Sequence, residues 1–280
     1  MIIINILKMM KRYFISGMFT FFITVSFAQE KYNCEEMGLK GKVKSIRETQ
    51  YKLNDINPGL NEILITTFSF NANCRKTSEI TSEVGGDPKN RHTVSYDKSG
   101  NITSETKQNT AVNGNFTIKY KYDASKKLSK KEVSSNGRII STYIYHYDNG
   151  NVTSMEINKK LGLLDINNEK FEYKYDANNR LSAEIHTEGD EYRRTEYAYD
   201  DSNRIIRKVE FNHRGGITYE TDYEYDELGN PSSETSNYRG NNINNFSFVY
   251  EYDEQGNWIN KRSLSNDKTY SLQIRVITYY

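Results

Sequence analysis

Tyr-Glu-Tyr-Asp-Glu-Leu-Gly-Asn over residues 223–230 and Tyr-Glu-Tyr-Asp-Glu-Gln-Gly-Asn over residues 250–257 decide how this chain folds. In each, tyrosine and glutamate alternate up to an aspartate, and a glycine follows three residues later. A period of two places both tyrosines on one face of a strand and the glutamate on the other. Glycine tolerates the positive φ that a tight reversal needs, and the aspartate can accept backbone N–H groups, so the strand ends in a hairpin turn.

The element recurs outward from these two copies. It reappears at Tyr120, Tyr122, Asp123; at Tyr145, Tyr147, Asp148; at Tyr173, Tyr175, Asp176; and at Tyr197, Tyr199, Asp200. Weaker copies stand at Val94, Tyr96, Asp97 and at Phe68, Phe70, Asn71. Eight copies spaced by 24 to 28 residues mark one supersecondary unit used repeatedly. The slot after the aspartate holds Gly100, Gly229 or Gly256, elsewhere Asn179 or Asn203, and Gly150 in a shortened fourth copy. A second turn cluster lies between copies, at Gly85 and Gly86, Asn113 and Gly114, Asn136 and Gly137, Gly162, Gly189, Gly215 and Gly216, and Gly240. Each unit reads strand, turn, strand, turn.

The strand before each aspartate predicts an inward ladder of Tyr96, Tyr122, Tyr147, Tyr175, Tyr199, Tyr225 and Tyr252, largely buried, with Lys121, Lys174 and Glu224 exposed. Asp97, Asp123, Asp148, Asp176, Asp200, Asp226 and Asp253, with Gly100, Gly150, Gly229 and Gly256, are expected to form the turns. The strand after the turn alternates more weakly. Leu181, Ala183 and Ile185 are expected to share a face, as are Ile205, Val209 and Phe211, with Arg207 interrupting. Adding strands near 42–53 and 268–280 gives about 18, joined as an antiparallel meander. Laid flat at ~4.8 Å per strand the sheet would be about 85 Å wide, and no amphipathic helix exists to cover it. The expected fold is therefore all-β, a meander of ~26-residue hairpin repeats rolled into a flattened barrel or an elongated sandwich with inner faces ~10 Å apart.

The repeat resembles the YD-repeat, or RHS (rearrangement-hotspot), family, in which Tyr-x-Tyr-Asp-x-x-Gly-Asn is read directly at Tyr223–Asn230 and Tyr250–Asn257. The resemblance covers about residues 62–280, with residues 29–61 an N-terminal segment carrying the first strand. It implies an exported or cell-surface β-repeat protein, since long members form shells around toxins and others associate with cell walls, carbohydrate or adhesion. The chain is too short to enclose a toxin, and Asp87-Pro88 lies outside any repeat core, so the shell's self-cleavage does not carry over.

The first 28 residues agree with export. Lys8, Lys11 and Arg12 precede an apolar run from Tyr13 to Ala28, too short for the ~20 residues of a spanning helix, with small residues at Ser26 and Ala28. This reads as a signal peptide cleaved after Ala28, leaving a secreted, periplasmic or envelope-associated chain with no transmembrane span. Cys34 and Cys74 are an even pair in an oxidising compartment. If the first two strands form a hairpin, both sit at its open end, so a disulfide between them is expected.

Composition and spacing exclude several chemistries. With 38 basic and 37 acidic residues, the chain lacks the positive surface of a nucleic-acid binder. His92, His146, His186 and His213 lie in different repeats with no neighbour at metal-ligand spacing, so no metal or other cofactor is expected. One carboxylate per repeat favours turn capping over calcium loops. No nucleophile elbow or phosphate loop occurs, so the reading is non-enzymatic.

The function expected is a binding or envelope-associated module whose partner is a saccharide or another envelope protein. Alternatives are a carbohydrate-binding protein, a partner or remnant of an RHS-type toxin system, and an outer-membrane β-barrel. The last is disfavoured because Leu128, Lys130 and Glu132 are expected on one face and Lys131 with Val133 on the other, charging both. Aromatics outside the ladder, Tyr192, Tyr238 and Trp258, are the candidates for stacking on sugar; Trp258 has the competing role of covering an open end of the core. The mature protein is expected to begin at Gln29, and an intact mass of material recovered from the exporting cell checks this; an uncleaved N-terminus would refute it.

Overall fold

The turn at Asp97 shows how each repeat is built. The Asp97 N–H donates to the Asn101 carbonyl (2.9 Å), the Gly100 N–H donates to the Asp97 carbonyl (3.0 Å), and the Asp97 carboxylate accepts the Asn101 N–H (2.9 Å). The same carboxylate cap recurs at Asp123, Asp176, Asp200, Asp226 and Asp253. The third residue after the aspartate is left-handed throughout, with φ of +90° at Gly100 and +86° at Gly229, and of +57° and +62° even at Cys74 and Lys126. Asp148 departs from this pattern. In its shortened repeat Asn149 and Gly150 form a two-residue turn, Asp148 pairs with Asn151, and its carboxylate accepts from the Asn149 side chain.

This computed structural model describes residues 31–53, 60–110, 114–161 and 164–280. The expected signal segment and the expected turn positions Asn113 and Gly162 lie outside them. The strands are β1 Val43–Leu53, β2 Leu60–Phe70, β3 Lys76–Ser82, β4 Pro88–Tyr96, β5 Ile102–Asn109, β6 Gly114–Tyr122, β7 Leu128–Ser135, β8 Arg138–Asp148 and β9 Asn151–Leu161. There follow β10 Leu164–Tyr175, β11 Leu181–Glu188, β12 Glu191–Tyr199, β13 Ile205–Phe211, β14 Ile217–Tyr225, β15 Pro231–Tyr238, β16 Asn241–Tyr252, β17 Trp258–Ser265 and β18 Lys268–Tyr279. Each pairs antiparallel with the next, and β18 returns to β1 with Ile277 opposite Ile46 and Gln273 opposite Gln50. The meander thus closes into an 18-stranded β-barrel, which leaves no sheet edge exposed.

The left-handed residue has a consequence that alternation alone does not reveal. A left-handed residue after a four-residue turn creates a β-bulge, and the ladder shifts register at Lys121/Tyr122, Lys174/Tyr175, Ala198/Tyr199 and Glu224/Tyr225. Leu181 therefore pairs with the inward Tyr175, whereas Ala183 pairs with the outward Lys174. The expectation that Leu181, Ala183 and Ile185 share a face is corrected, and likewise Ile205 is separated from Arg207, Val209 and Phe211. Leu128 points inward with Lys131, while Lys130 and Glu132 stand on the outer wall. Hydroxyls of Thr77, Thr103 and Ser129 donate to the carbonyls of Ser69, Ser95 and Lys121 and fix the bulge (3.1–3.2 Å).

The ladder tyrosines face inward but are half-buried, not largely buried as expected, because they line the rim formed by the Asp turns. Their hydroxyls reach back one repeat: Tyr122 donates to the Ile102 carbonyl, Tyr147 to Leu128, Tyr175 to Val152, Tyr199 to Leu181 and Tyr225 to Ile205 (2.6–2.9 Å). Tyr96 does the same to Lys76, while Tyr252 donates to the Asp226 carboxylate. A cation four residues after the aspartate covers the next tyrosine in three repeats: Lys127 over Tyr147 (5.1 Å), Arg180 over Tyr199 (4.8 Å) and Arg204 over Tyr225 (4.7 Å). Lys121, Lys174 and Glu224 are exposed.

At the same rim, residues 32–42 form a strap. A disulfide joins Cys34 to Cys74, with Cα atoms 5.5 Å apart, and the Cys34 N–H donates to the Cys74 carbonyl. At the strap's other end Asn257 accepts the Lys40 N–H (2.7 Å) and donates to its carbonyl (2.9 Å). Cys34 and Leu39 pack with Val43, Ile46 and Phe70 into a buried apolar cluster. Closing a loop of 40 residues restrains the unfolded chain, so Cys34→Ser with Cys74→Ser is expected to lower stability by about 3 to 4 kcal/mol in urea titration. A loss below about 1 kcal/mol would show that the strap is held without the bridge.

Candidate functional site

The bulge carries a charged side chain into the barrel once in nearly every repeat. Eight residues after the aspartate or Asn71 stand Glu79, Glu105, Lys131, Glu184, Lys208, Glu234 and Lys261, with Met155 in the shortened copy. Each lies directly opposite the first aromatic or apolar residue of its own repeat: Phe68, Val94, Tyr120, Tyr173, Tyr197, Tyr223 and Tyr250, with Tyr145 opposite Met155. Directly opposed residues of an antiparallel pair share a face. The inner wall is thus a belt in which tyrosine alternates with charge, and from β11 to β17 the sign alternates too.

One part of the belt is dry and fully partnered. Glu105 is 1% exposed, and its carboxylate accepts from the Tyr32 hydroxyl (2.8 Å), from Tyr120 and from His92 Nε2 (2.6 Å), with Lys107 Nζ at 3.8 Å. Burial pushes its carboxyl upward, but the His92, Lys107 and Tyr120 contacts outweigh this and hold it at about 2. Ile118, directly opposite it, is buried too, as are Val133, Tyr143, Met155, Phe171 and Tyr173 on the following strands. Glu169, also buried, contacts Lys159 and His186, which outweigh burial and keep its carboxyl low.

Glu184 contrasts with these. It is 6% exposed, its Oε2 has no hydrogen-bond partner, and burial pushes its carboxyl to about 7 against a smaller opposing pull from Lys208. Tyr197 beside it has a buried, unpartnered hydroxyl raised by burial and by the Glu184 charge. Lys131 lies 4.1 Å over the Tyr143 ring and Lys261 4.3 Å over Phe248, and burial lowers the Lys261 amine.

The stacking candidates separate. Tyr192 (44% exposed) and Tyr238 (45%) stand at the rim opposite the strap, where Tyr270 is also exposed and packs on Phe246. Trp258 faces inward opposite Tyr252 with the Arg275 guanidinium 3.3 Å from its ring centre, so that ring face is taken. Trp258 and Arg275 border a cavity of about 40 Å³ beneath the strap residues Met37, Leu39 and Lys40. His146 is half-exposed beside Glu156 on the outer wall. The reading that no histidine neighbours possible ligands is corrected: cross-strand pairing brings His186 to Glu169 and Glu188, donor atoms lying within 4.8 Å of one another. Spacing along the chain could not reveal that grouping, because Glu169 sits on the neighbouring strand.

No family model matches the chain, and no curated protein does. Among solved structures it is similar to a porin-like protein from Bacteroides vulgatus, at 12% identity, 68% of this chain, 94% of that one and a TM-score of 0.41. Another is a porin-like protein from Bacteroides uniformis, at 11% identity, 85% of this chain, 98% of that one and a TM-score of 0.32. A third is TcdB2-TccC3 without its hypervariable C-terminal region, at 12% identity, 78% of this chain, 15% of that one and a TM-score of 0.25.

The two kinds of carboxylate give opposite pH responses. Glu184, raised when folded, favours the folded state while protonated, so its contribution is present below about pH 4.5 and is lost as pH rises through 7. Glu105, lowered when folded, contributes above about pH 4.5, and this is lost as pH falls toward 2. Between pH 5 and 7.5 the protein is expected to lose on the order of 2 kcal/mol that Glu184→Gln does not lose. Equal slopes for the two proteins in urea titrations would refute the assignment.

Proposed function

We propose that the protein is an exported, non-enzymatic binding module of the cell envelope. The observation that carries this is the covalently strapped, closed barrel, since a disulfide persists in an oxidising compartment and is rare where thiols are kept reduced. The outer wall favours a water-facing barrel over a lipid-facing one. Lys119, Lys121, Lys130 and Glu132 stand outside on β6 and β7, and Glu220, Asp222 and Glu224 on β14. At a bilayer midplane each lysine would cost about 2 to 4 kcal/mol. Among the described residues no helix is long and apolar enough to cross a membrane. The RHS resemblance, which rests on the repeat's own residues, supports the same reading.

A saccharide is the ligand class best supported. Tyr192, Tyr238 and Tyr270 put exposed rings at one rim of the barrel, and aromatic faces are the surfaces that stack on the apolar face of a sugar. The near-balance of charge gives no field to gather a polyelectrolyte. On a glycan array the mature protein is expected to bind, to lose at least about tenfold affinity with Tyr192→Ala or Tyr238→Ala, and to be little affected by salt up to about 0.5 M. Trp258→Ala is expected to lower stability and leave glycan selectivity unchanged. Failure to bind any glycan, or binding indifferent to both tyrosines, would reject the saccharide reading.

A further inference from the structure

Glu169 on β10 and Glu188 at the end of β11 are direct cross-strand partners on the inner face. Two carboxylates in that relation repel unless a cation lies near both. On the next rung, His186 is stacked on Phe171, with ring centres 4.2 Å apart and planes within 9°. Its Nε2 is held 3.0 Å from Glu169 Oε2. The remaining Glu169 oxygen is met by Lys159. The Lys159 amine thus stands behind the buried Glu169 carboxylate, while His186 and Glu188 lie on its other side toward the rim.

We propose that Glu169, His186 and Glu188 form a binding site for a divalent transition metal, with Zn²⁺ the best fit. Two ligands bonded to zinc at ~2.0–2.1 Å and at tetrahedral angles lie about 3.3 to 3.4 Å apart, so the 3.0 Å now between Nε2 and Oε2 needs to open by only a few tenths of an ångström to seat the ion. The third donor, a carboxylate oxygen of the exposed Glu188, lies within 4.8 Å of the other two, and water completes the coordination. One imidazole with two carboxylates suits zinc or manganese; calcium requires six to eight oxygens, and copper(I) prefers sulfur. The stack on Phe171 fixes the imidazole plane before metal arrives, so little freedom is lost on binding. Lys159 stays on the far oxygen, where its positive charge competes with an incoming metal for the carboxylate. This site differs from the tyrosine rim proposed for saccharide and does not depend on that reading.

Calorimetric titration of the mature protein with ZnCl₂, paired with thermal melting, tests it. One Zn²⁺ per chain is expected, with a rise in melting temperature. His186→Ala and Glu188→Gln are each expected to weaken binding at least about tenfold and abolish the thermal shift while circular dichroism shows the barrel intact. Lys159→Met, which removes the competing cation, is expected to tighten it. No saturable binding up to about 1 mM Zn²⁺, or binding unchanged in both His186→Ala and Glu188→Gln, would overturn the proposal.

Discussion

A single backbone state, the left-handed residue that closes each Asp turn, sets the character of the whole barrel. It inserts one extra residue into the strand that follows, and everything beyond that residue changes face. Without the bulge, Ala183 and Ile185 would point inward with Leu181; with it, Glu184 and His186 do. The interior is consequently a tyrosine and charge lattice, and the outer wall collects the lysines and glutamates of the preceding strand together with scattered aliphatics.

Such an interior stays together through hydrogen bonds that link repeat to repeat. A tyrosine hydroxyl bonded to the carbonyl that opens the previous repeat's second strand contributes about 0.5 to 1.5 kcal/mol net, and phenylalanine could not supply it. Where the residue four after the aspartate is a cation, as at Lys127, Arg180 and Arg204, it packs on the same ring, so there the Asp turn, the bulge and the tyrosine of the following repeat act as one unit. Closure then requires only that β1 and β18 present matching registers, and the disulfide and Asn257 tie the strap across that seam.

The belt is uneven in a way that bears on function. Around Glu105 each carboxylate oxygen is partnered, which rigidifies that wall; a buried ion satisfied on all sides is strongly destabilising to break and contributes little net stability while intact. Around Glu184 and Tyr197 polar atoms are buried without partners, a cost that packing alone would not select. Tyr192, Tyr238 and Tyr270 stand exposed at the rim opposite the strap, and Tyr280 is exposed at the strapped rim beside Lys42.

By itself the sequence determined the repeat, the strand count, the antiparallel meander, the turns at Asp97, Asp123, Asp176, Asp200, Asp226 and Asp253, and the need for the sheet to curl, because period-two alternation and turn chemistry are local properties. It also showed which residues of the first strands face inward. The tertiary structure alone decided which residues of the second strands do, since a one-residue bulge leaves composition untouched and inverts the faces. It alone brought Glu169, His186 and Glu188 together, Glu105 to Tyr32, and Arg275 onto Trp258, because those contacts depend on strand register and closure and not on distance along the chain.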